Sequence, residues 1–203
     1  ERWVPAGREG DFTGADYPVR GVLPAIAAQR RLNRGFEGLA LSPDGRQLHL
    51  VFQSPLAHPD ENAHRKARHV RIWTLAADTG VLQAQYLYPL NPPASFIRDD
   101  GAQMHDIKVS EITVLADGEL LVLERVSATT KIYRIELNAP LSPEHIDLAR
   151  RPTIEEMSTG GIDLPLLAKT LILDTGDVAE IGADLEGMAV LSPHELLLVN
   201  DND

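Results

Sequence analysis

The 203-residue chain contains no cysteine, and that single absence removes disulfides, thiol catalysis and thiolate metal sites. No uninterrupted apolar stretch approaches the roughly 18 residues needed to cross a bilayer, so neither a transmembrane helix nor membrane insertion is expected. Positive charge is scarce: 19 Lys and Arg stand against 30 Asp and Glu, a net charge of −11. Such a chain repels duplex nucleic acid and anionic membrane surfaces on average, and no nucleic-acid partner is expected. A Walker loop, a dinucleotide fingerprint, a G-x-S-x-G elbow and an aromatic nucleic-acid platform are all missing. Nucleotide chemistry and a serine nucleophile therefore find no support. What remains is ordinary, at 43% apolar and 24% charged residues, the balance of a globular domain. The length suits one domain with a substantial core.

Three segments share one pattern: FEGLALSPDGRQLHLVFQS (36–54), SEITVLADGELLVLER (110–125) and LEGMAVLSPHELLLVND (185–201). Each opens on a glutamate followed by a small or β-branched residue, then runs through apolar positions into a turn. The turns are Ser42-Pro43-Asp44-Gly45, Ala116-Asp117-Gly118 and Ser192-Pro193-His194. Asp-Gly and Ser-Pro are hairpin chemistry, because Gly accepts positive φ and Pro presets φ near −65°. A second apolar run follows each turn and ends in a polar pair: Gln53-Ser54, Glu124-Arg125 or Asn200-Asp201. Glu37, Glu111 and Glu186 lie 74 and 75 residues apart, a spacing too regular to dismiss.

More strand-like sequence fills each period. HVRIWTL (69–75) and AQYLYPL (84–90) follow the first hairpin, and KIYRIEL (131–137) and KTLILD (169–174) follow the second. Each full period thus holds four strands and no helix long enough for a crossover, with short helical turns at 24–31 and 143–150. Runs such as LLVL (120–123) and LLLV (196–199) are apolar throughout, which predicts strands covered on both faces. The expected fold is all-β: β-propeller blades of four antiparallel strands, with blade repeats starting near 36, 110 and 185 in a single domain over 1–203. A β-sandwich is the alternative, but it does not predict a four-strand period. The long connections 54–68, 91–106 and 138–165 are expected to rise over one face. The first residue is Glu, and the last apolar run has no closing element after it, so the chain is expected to be part of a larger ring.

The strings NRGFEGLALSPDG (33–45), FQSPL (52–56), SEITVLADGELLVLER (110–125), KIYRIEL (131–137) and EGMAVLSPHELLLVNDND (186–203) resemble the phytase-like domain family. Its members are often called esterase-like proteins of the phytase family. The resemblance runs from Asn33 to Asp203 with the motifs in order. It implies a propeller and an exported bacterial protein, periplasmic or secreted. His194 departs from the pattern, standing where the first repeat has Asp44-Gly45, and affects a turn only.

Few residues are placed to carry chemistry. Three glutamates in one register would converge near a propeller axis and repel one another unless a cation sits among them. Glu37, Glu111 and Glu186, with Asn200 and Asp201, are hard oxygen donors that favour a divalent cation, calcium foremost. The competing reading has each Glu accept hydrogen bonds from the neighbouring blade's backbone, with no metal. Arg125 suits a bidentate clamp on phosphate or carboxylate, or equally an inter-blade ion pair. His105-Asp106 is the candidate base with its orienting acid. His58, His64 and His69 match no zinc spacing and are expected in a solvated loop. Two classes follow. One is a metal-dependent hydrolase of phosphate or other esters, taking an anionic small-molecule ester. The other is a non-catalytic propeller that binds a small ligand or a protein through its loops.

Overall fold

The computed structural model describes residues 1–158, 163–178 and 180–201. Its strands are β1 (Arg2–Pro5), β2 (Val19–Leu23), β3 (Phe36–Leu41), β4 (Gln47–Phe52), β5 (His69–Ala76) and β6 (Leu82–Pro89), then β7 (Lys108–Val114), β8 (Leu120–Arg125), β9 (Thr130–Ile135), β10 (Lys169–Asp174), β11 (Leu185–Ser192) and β12 (Glu195–Asn200). Two antiparallel sheets have four strands each, in the orders β3-β4-β5-β6 and β7-β8-β9-β10. β11 and β12 form a hairpin of their own, and β1 and β2 pair in parallel. The protein is all-β, and its helices are short: α1 (Glu61–Lys66), α2 (Ile154–Met157) and single 3₁₀ turns. Two of those turns, Ala25–Gln29 and Pro143–Ile146, fall where the sequence predicts them.

The turns follow from local chemistry. Gly45 and Gly118 sit at φ of +72° and +90°, the left-handed region that side chains with a Cβ resist. Asp44 Oδ1 accepts the Ser42 hydroxyl at 2.7 Å and the Arg46 N–H at 3.0 Å, which fixes the first turn before any tertiary contact forms. Each first strand breaks register near its start. The irregularity falls between Phe36 and Gly38 in β3, between Val109 and Glu111 in β7, and between Leu185 and Gly187 in β11. Such bulges re-aim side chains. They leave Glu37 and Glu186 unpaired in register but pair Glu111 with Leu123, so the three glutamates are not equivalent.

The sheets lie side by side through their first strands, β3 against β7 and β7 against β11. Val51, Ile72 and Tyr88 of the first sheet meet Ile112, Val122 and Tyr133 of the second in the main core. On the other face of the first sheet, Phe52, Trp73 and Leu75 meet Leu23 and Ile26. Leu121, Leu123 and Ile132 on the far face of the second sheet receive Leu185 and Met188. Sheets covered twice explain why β5 and β8 are buried with hardly a break, polar positions such as Arg71 and Glu124 included. The matching expectation for 196–199 is corrected: Leu197 and Val199 are about half exposed. β12 is an edge strand of a two-stranded sheet, and none of the four hydrophobic clusters lies on its outer side among the described residues.

The long connections also depart from expectation. The segment between β9 and β10 does not simply rise over a face. It crosses to the free edge of β6, where the N–H groups of Leu141 and Leu167 donate to the carbonyls of Gln85 and Leu87. The segment 54–68 folds into α1, capped by Asp60, whose Oδ1 accepts the Ala63 N–H at 2.9 Å. Thr153 caps α2 in a reciprocal box with Glu156, and its hydroxyl donates to the His58 carbonyl at 2.9 Å. This docking buries His58, His64 and His69, so the expectation of a solvated histidine loop is wrong.

Candidate functional site

The starts of the first strands and the ends of the second strands gather the sequence's candidate residues. Arg125 closes β8 and is buried. Its Nε donates to Ser110 Oγ at 2.9 Å and its Nη1 to the Val126 carbonyl at 2.8 Å and to Asp184 Oδ1 at 3.1 Å. Its Nη2 pairs with Glu186 Oε1. Burial lowers the Arg125 pKa, and Asp184 acts against that fall. The guanidinium therefore ties the second sheet to β11, as the ion-pair reading of Arg125 has it.

Glu111 lies half-buried one strand away. Burial raises its carboxyl pKa, and the N–H groups of Ile112 and of Leu39 on β3 act against that rise. The Ile112 N–H donates to Oε1 at 2.8 Å. This is the backbone brace weighed against metal in the sequence. Glu37 is exposed, and Asp201, also exposed, donates its N–H to the Asp184 carbonyl at 3.0 Å. Asn200 pairs with Leu185 across β11 and β12. Among the described residues no three His, Asp or Glu side chains stand close enough together to hold a metal ion. Of the expected oxygen donors, Glu111 accepts the Ile112 N–H and Glu186 pairs with Arg125.

Between β7 and the 99–106 and 126–127 segments lies a pocket of about 360 Å³. Arg34, Lys108, Asp99, Asp106 and Ser127 line it. Asp99 is occupied: its carboxylate accepts the N–H groups of Ser127, Ala128 and Thr129 at 3.1, 2.7 and 2.8 Å. Burial raises its pKa, but those bonds outweigh burial and leave it lowered. Arg34 Nη1 donates to the His105 carbonyl at 3.1 Å. Neither Arg34 nor Lys108 has an ion-pair partner within 4.0 Å among the described residues. Burial lowers both pKa values and further cations add to it, Arg31 and Arg125 for Arg34 and Arg125 and Arg34 for Lys108, while Asp106 acts against the fall in both.

His105 and Asp106 occupy the 3₁₀ turn beside this pocket. His105 Nε2 stands 3.8 Å from Asp106 Oδ1, beyond hydrogen-bond reach. Asp106 Oδ2 accepts the Gln103 N–H at 2.9 Å, which caps the turn. The structure thus brings His105, Asp106 and Arg125 to one end of the second sheet, with Arg34 and Lys108 among them. The sequence reading missed Arg34 and Lys108. For Lys108 the signal was present in register, because it pairs with Arg125 across the β7–β8 ladder; Arg34 lies outside the strands.

Two buried ionic clusters went unread as well. Arg71 and Glu155, both almost fully buried, form a bidentate pair at 2.9 and 3.0 Å. Arg71 Nη1 also reaches Gln85 Oε1 and the His145 carbonyl. Burial raises the Glu155 pKa, yet Arg71 outweighs burial and keeps it below the carboxylate range. His69 lies in their field, and burial drives its pKa down to about 4. In the second cluster Glu124 Oε2 accepts from the Tyr88 hydroxyl at 2.6 Å and from Lys169 Nζ at 2.7 Å. The Lys169 ammonium stands 4.4 and 4.2 Å from the ring centres of Tyr88 and Tyr133. Burial pushes the Tyr133 hydroxyl up to about 12.

Repeated four-strand antiparallel sheets define an all-β protein, and the pocket at one end brings Arg34 and Lys108 together with Asp99, Asp100 and Asp106. No helix among the described residues is long and apolar enough to cross a membrane. The chain belongs to the Phytase-like family, described as esterase-like activity of phytase, which matches residues 5–203. No curated protein and no solved structure matches it.

Proposed function

We propose that this chain is an esterase-type hydrolase of small anionic esters, phosphate esters first, and that its sheets are blades of a β-propeller. The observation that supports it most is the pair of cations, Arg34 and Lys108, that line one pocket beside His105 and Asp106 with no ion-pair partner among the described residues. The two cations hold the anionic group and stabilise charge that develops on the departing oxygen. His105 takes a proton from the attacking water as the water oxygen bonds to the ester centre, and it returns that proton to the ester oxygen whose bond breaks. The four-strand meanders and the contact of β3 with β7 and of β7 with β11 support the blade reading. A periplasmic or secreted location is part of the same proposal and rests on the family resemblance.

The test is steady-state hydrolysis of 4-nitrophenyl phosphate and neutral 4-nitrophenyl acetate by the full chain, Arg34→Ala and Lys108→Ala. Each variant loses about tenfold or more in kcat/KM on the phosphate, the size of one charge-assisted contact, and little on the acetate. Equal losses on both esters would refute anion holding by these side chains. Saturable phosphate binding with no turnover of either ester would favour the non-catalytic propeller.

A further inference from the structure

At the opposite end of the β7–β8 hairpin the two sheets splay and leave a second cleft, of about 620 Å³. One wall is the β3–β4 turn with Asp44, and the other is the β7–β8 turn with Asp117 and Glu119, joined by Glu136 after β9. Arg134 pairs with both Asp117 and Glu119. Asp44 and Glu136 have no cationic partner within 4.0 Å among the described residues, so the cleft keeps an excess of negative charge. Two polar side chains from the sheet interior line the same space. Tyr86 is only 9% exposed, and its hydroxyl has no hydrogen-bond partner among the described residues. His49 is 4% exposed; its Nδ1 meets Thr74 Oγ1 at 2.9 Å, and its Nε2 has no partner there.

The Tyr86 hydroxyl and His49 Nε2 thus open onto the cleft from side chains that are otherwise buried, free of protein partners among the described residues and available to water or a ligand. Both face a cleft whose two walls carry carboxylates. Ala84 and Leu137 add apolar lining, and the Tyr86 ring offers a face to a cation. No three acidic or histidine side chains are close enough among the described residues to enclose a metal ion. Carboxylates spread over two walls, with apolar surface between them, suit charges spaced along a chain.

We propose that this cleft binds an organic polycation, primary ammonium groups on a short alkyl chain, in the manner of a polyamine. One ammonium lies between Glu136 and the Tyr86 hydroxyl, and the next reaches Asp44 on the facing turn. The alkyl segment covers Leu137 and Ala84. The site is separate from the anion pocket and stands whether or not the ester chemistry holds.

The experiment is calorimetric titration of the full chain with spermidine at low salt, beside Glu136→Gln, Tyr86→Phe and a calcium titration. Saturable binding of one spermidine is expected, weakened about tenfold by Glu136→Gln and about fivefold by Tyr86→Phe. Tyr86→Phe removes only the hydroxyl from a folded core, so its result does not depend on tolerance of a cavity. Absence of saturable binding overturns the proposal, as does binding that neither variant weakens. Calcium binding as tightly, with displacement of spermidine, also overturns it and leaves only an acidic surface.

Discussion

His69 should make this protein sensitive to mild acid. It opens β5 at 1% exposure beside the Arg71–Glu155 pair, and its Nε2 is buried without a partner. Burial is the main cause of its low pKa of about 4; Arg71 adds to it and Glu155 opposes it. The unfolded value is near 6.5, so the folded state binds the proton more weakly than the unfolded state. A depressed folded pKa means that stability is fully present above about pH 6.5 and is lost as the pH falls towards about 4. Linkage gives a loss of about 2 kcal/mol between pH 7.5 and pH 5, and about 3 kcal/mol by pH 4. The measurement is urea unfolding at several pH values between 7.5 and 4.5, on wild type and His69→Phe. Carboxylates held low in the fold, such as Glu155 and Asp99, contribute an acid slope to both proteins and largely cancel in the difference. His69→Phe should therefore show the shallower slope by about 2 kcal/mol at pH 5. Parallel slopes for the two proteins would refute the argument, because the imidazole would then carry no folding-linked proton.

Two further outcomes test how the sheets are joined. Glu111→Gln should lower stability by about 1–2 kcal/mol through weaker acceptance of the Ile112 and Leu39 N–H groups, and equally in calcium and in chelator; a calcium-dependent difference in thermal unfolding would return Glu111 to the metal ligands. Gly38→Ala should cost about 1–3 kcal/mol, because the added methyl would stand 2.6 Å from Ile112 N and 2.8 Å from Val51 Cγ1. Unchanged urea unfolding of Gly38→Ala would mean that β3 and β7 are not in close contact.

The sheets were legible because their signals are local. Asp44-Gly45 and Asp117-Gly118 name their own turns, and the glutamate spacing near 75 residues marks where each sheet begins. The same spacing misled about direction, since bulges at the strand starts are decided by pairing and not by the Glu itself. Arg125 was recognised as a candidate, but its choice between an anion and Glu186 depends on where β11 docks. Arg71 and Glu155 are 84 residues apart, and Tyr88 and Lys169 are 81 apart, so no periodicity joins them. The histidines looked solvated because the loop carrying them is polar. Its burial comes from α2, which arrives from a distant stretch of chain.

The joints between sheets also set an order of opening. Glu111 holds β3 through one backbone N–H, while Arg125 holds β11 through two carboxylates that are themselves about half exposed. The second sheet is thus a keystone, with a neighbour on each side. The hairpin of β11 and β12 has solvent along much of its outer surface and, among the described residues, sets only Leu185 and Met188 fully into the apolar cluster, with Val190, Leu196 and Leu198 partly buried against it. Segments with few buried contacts open before the whole fold does, and their amides exchange with solvent first. Amides of β12 therefore lose protection while those of β8 still report global unfolding. Any handling that loosens Arg125, from high salt to a competing anion, should widen that gap by releasing the hairpin and leaving the four-stranded sheets in place.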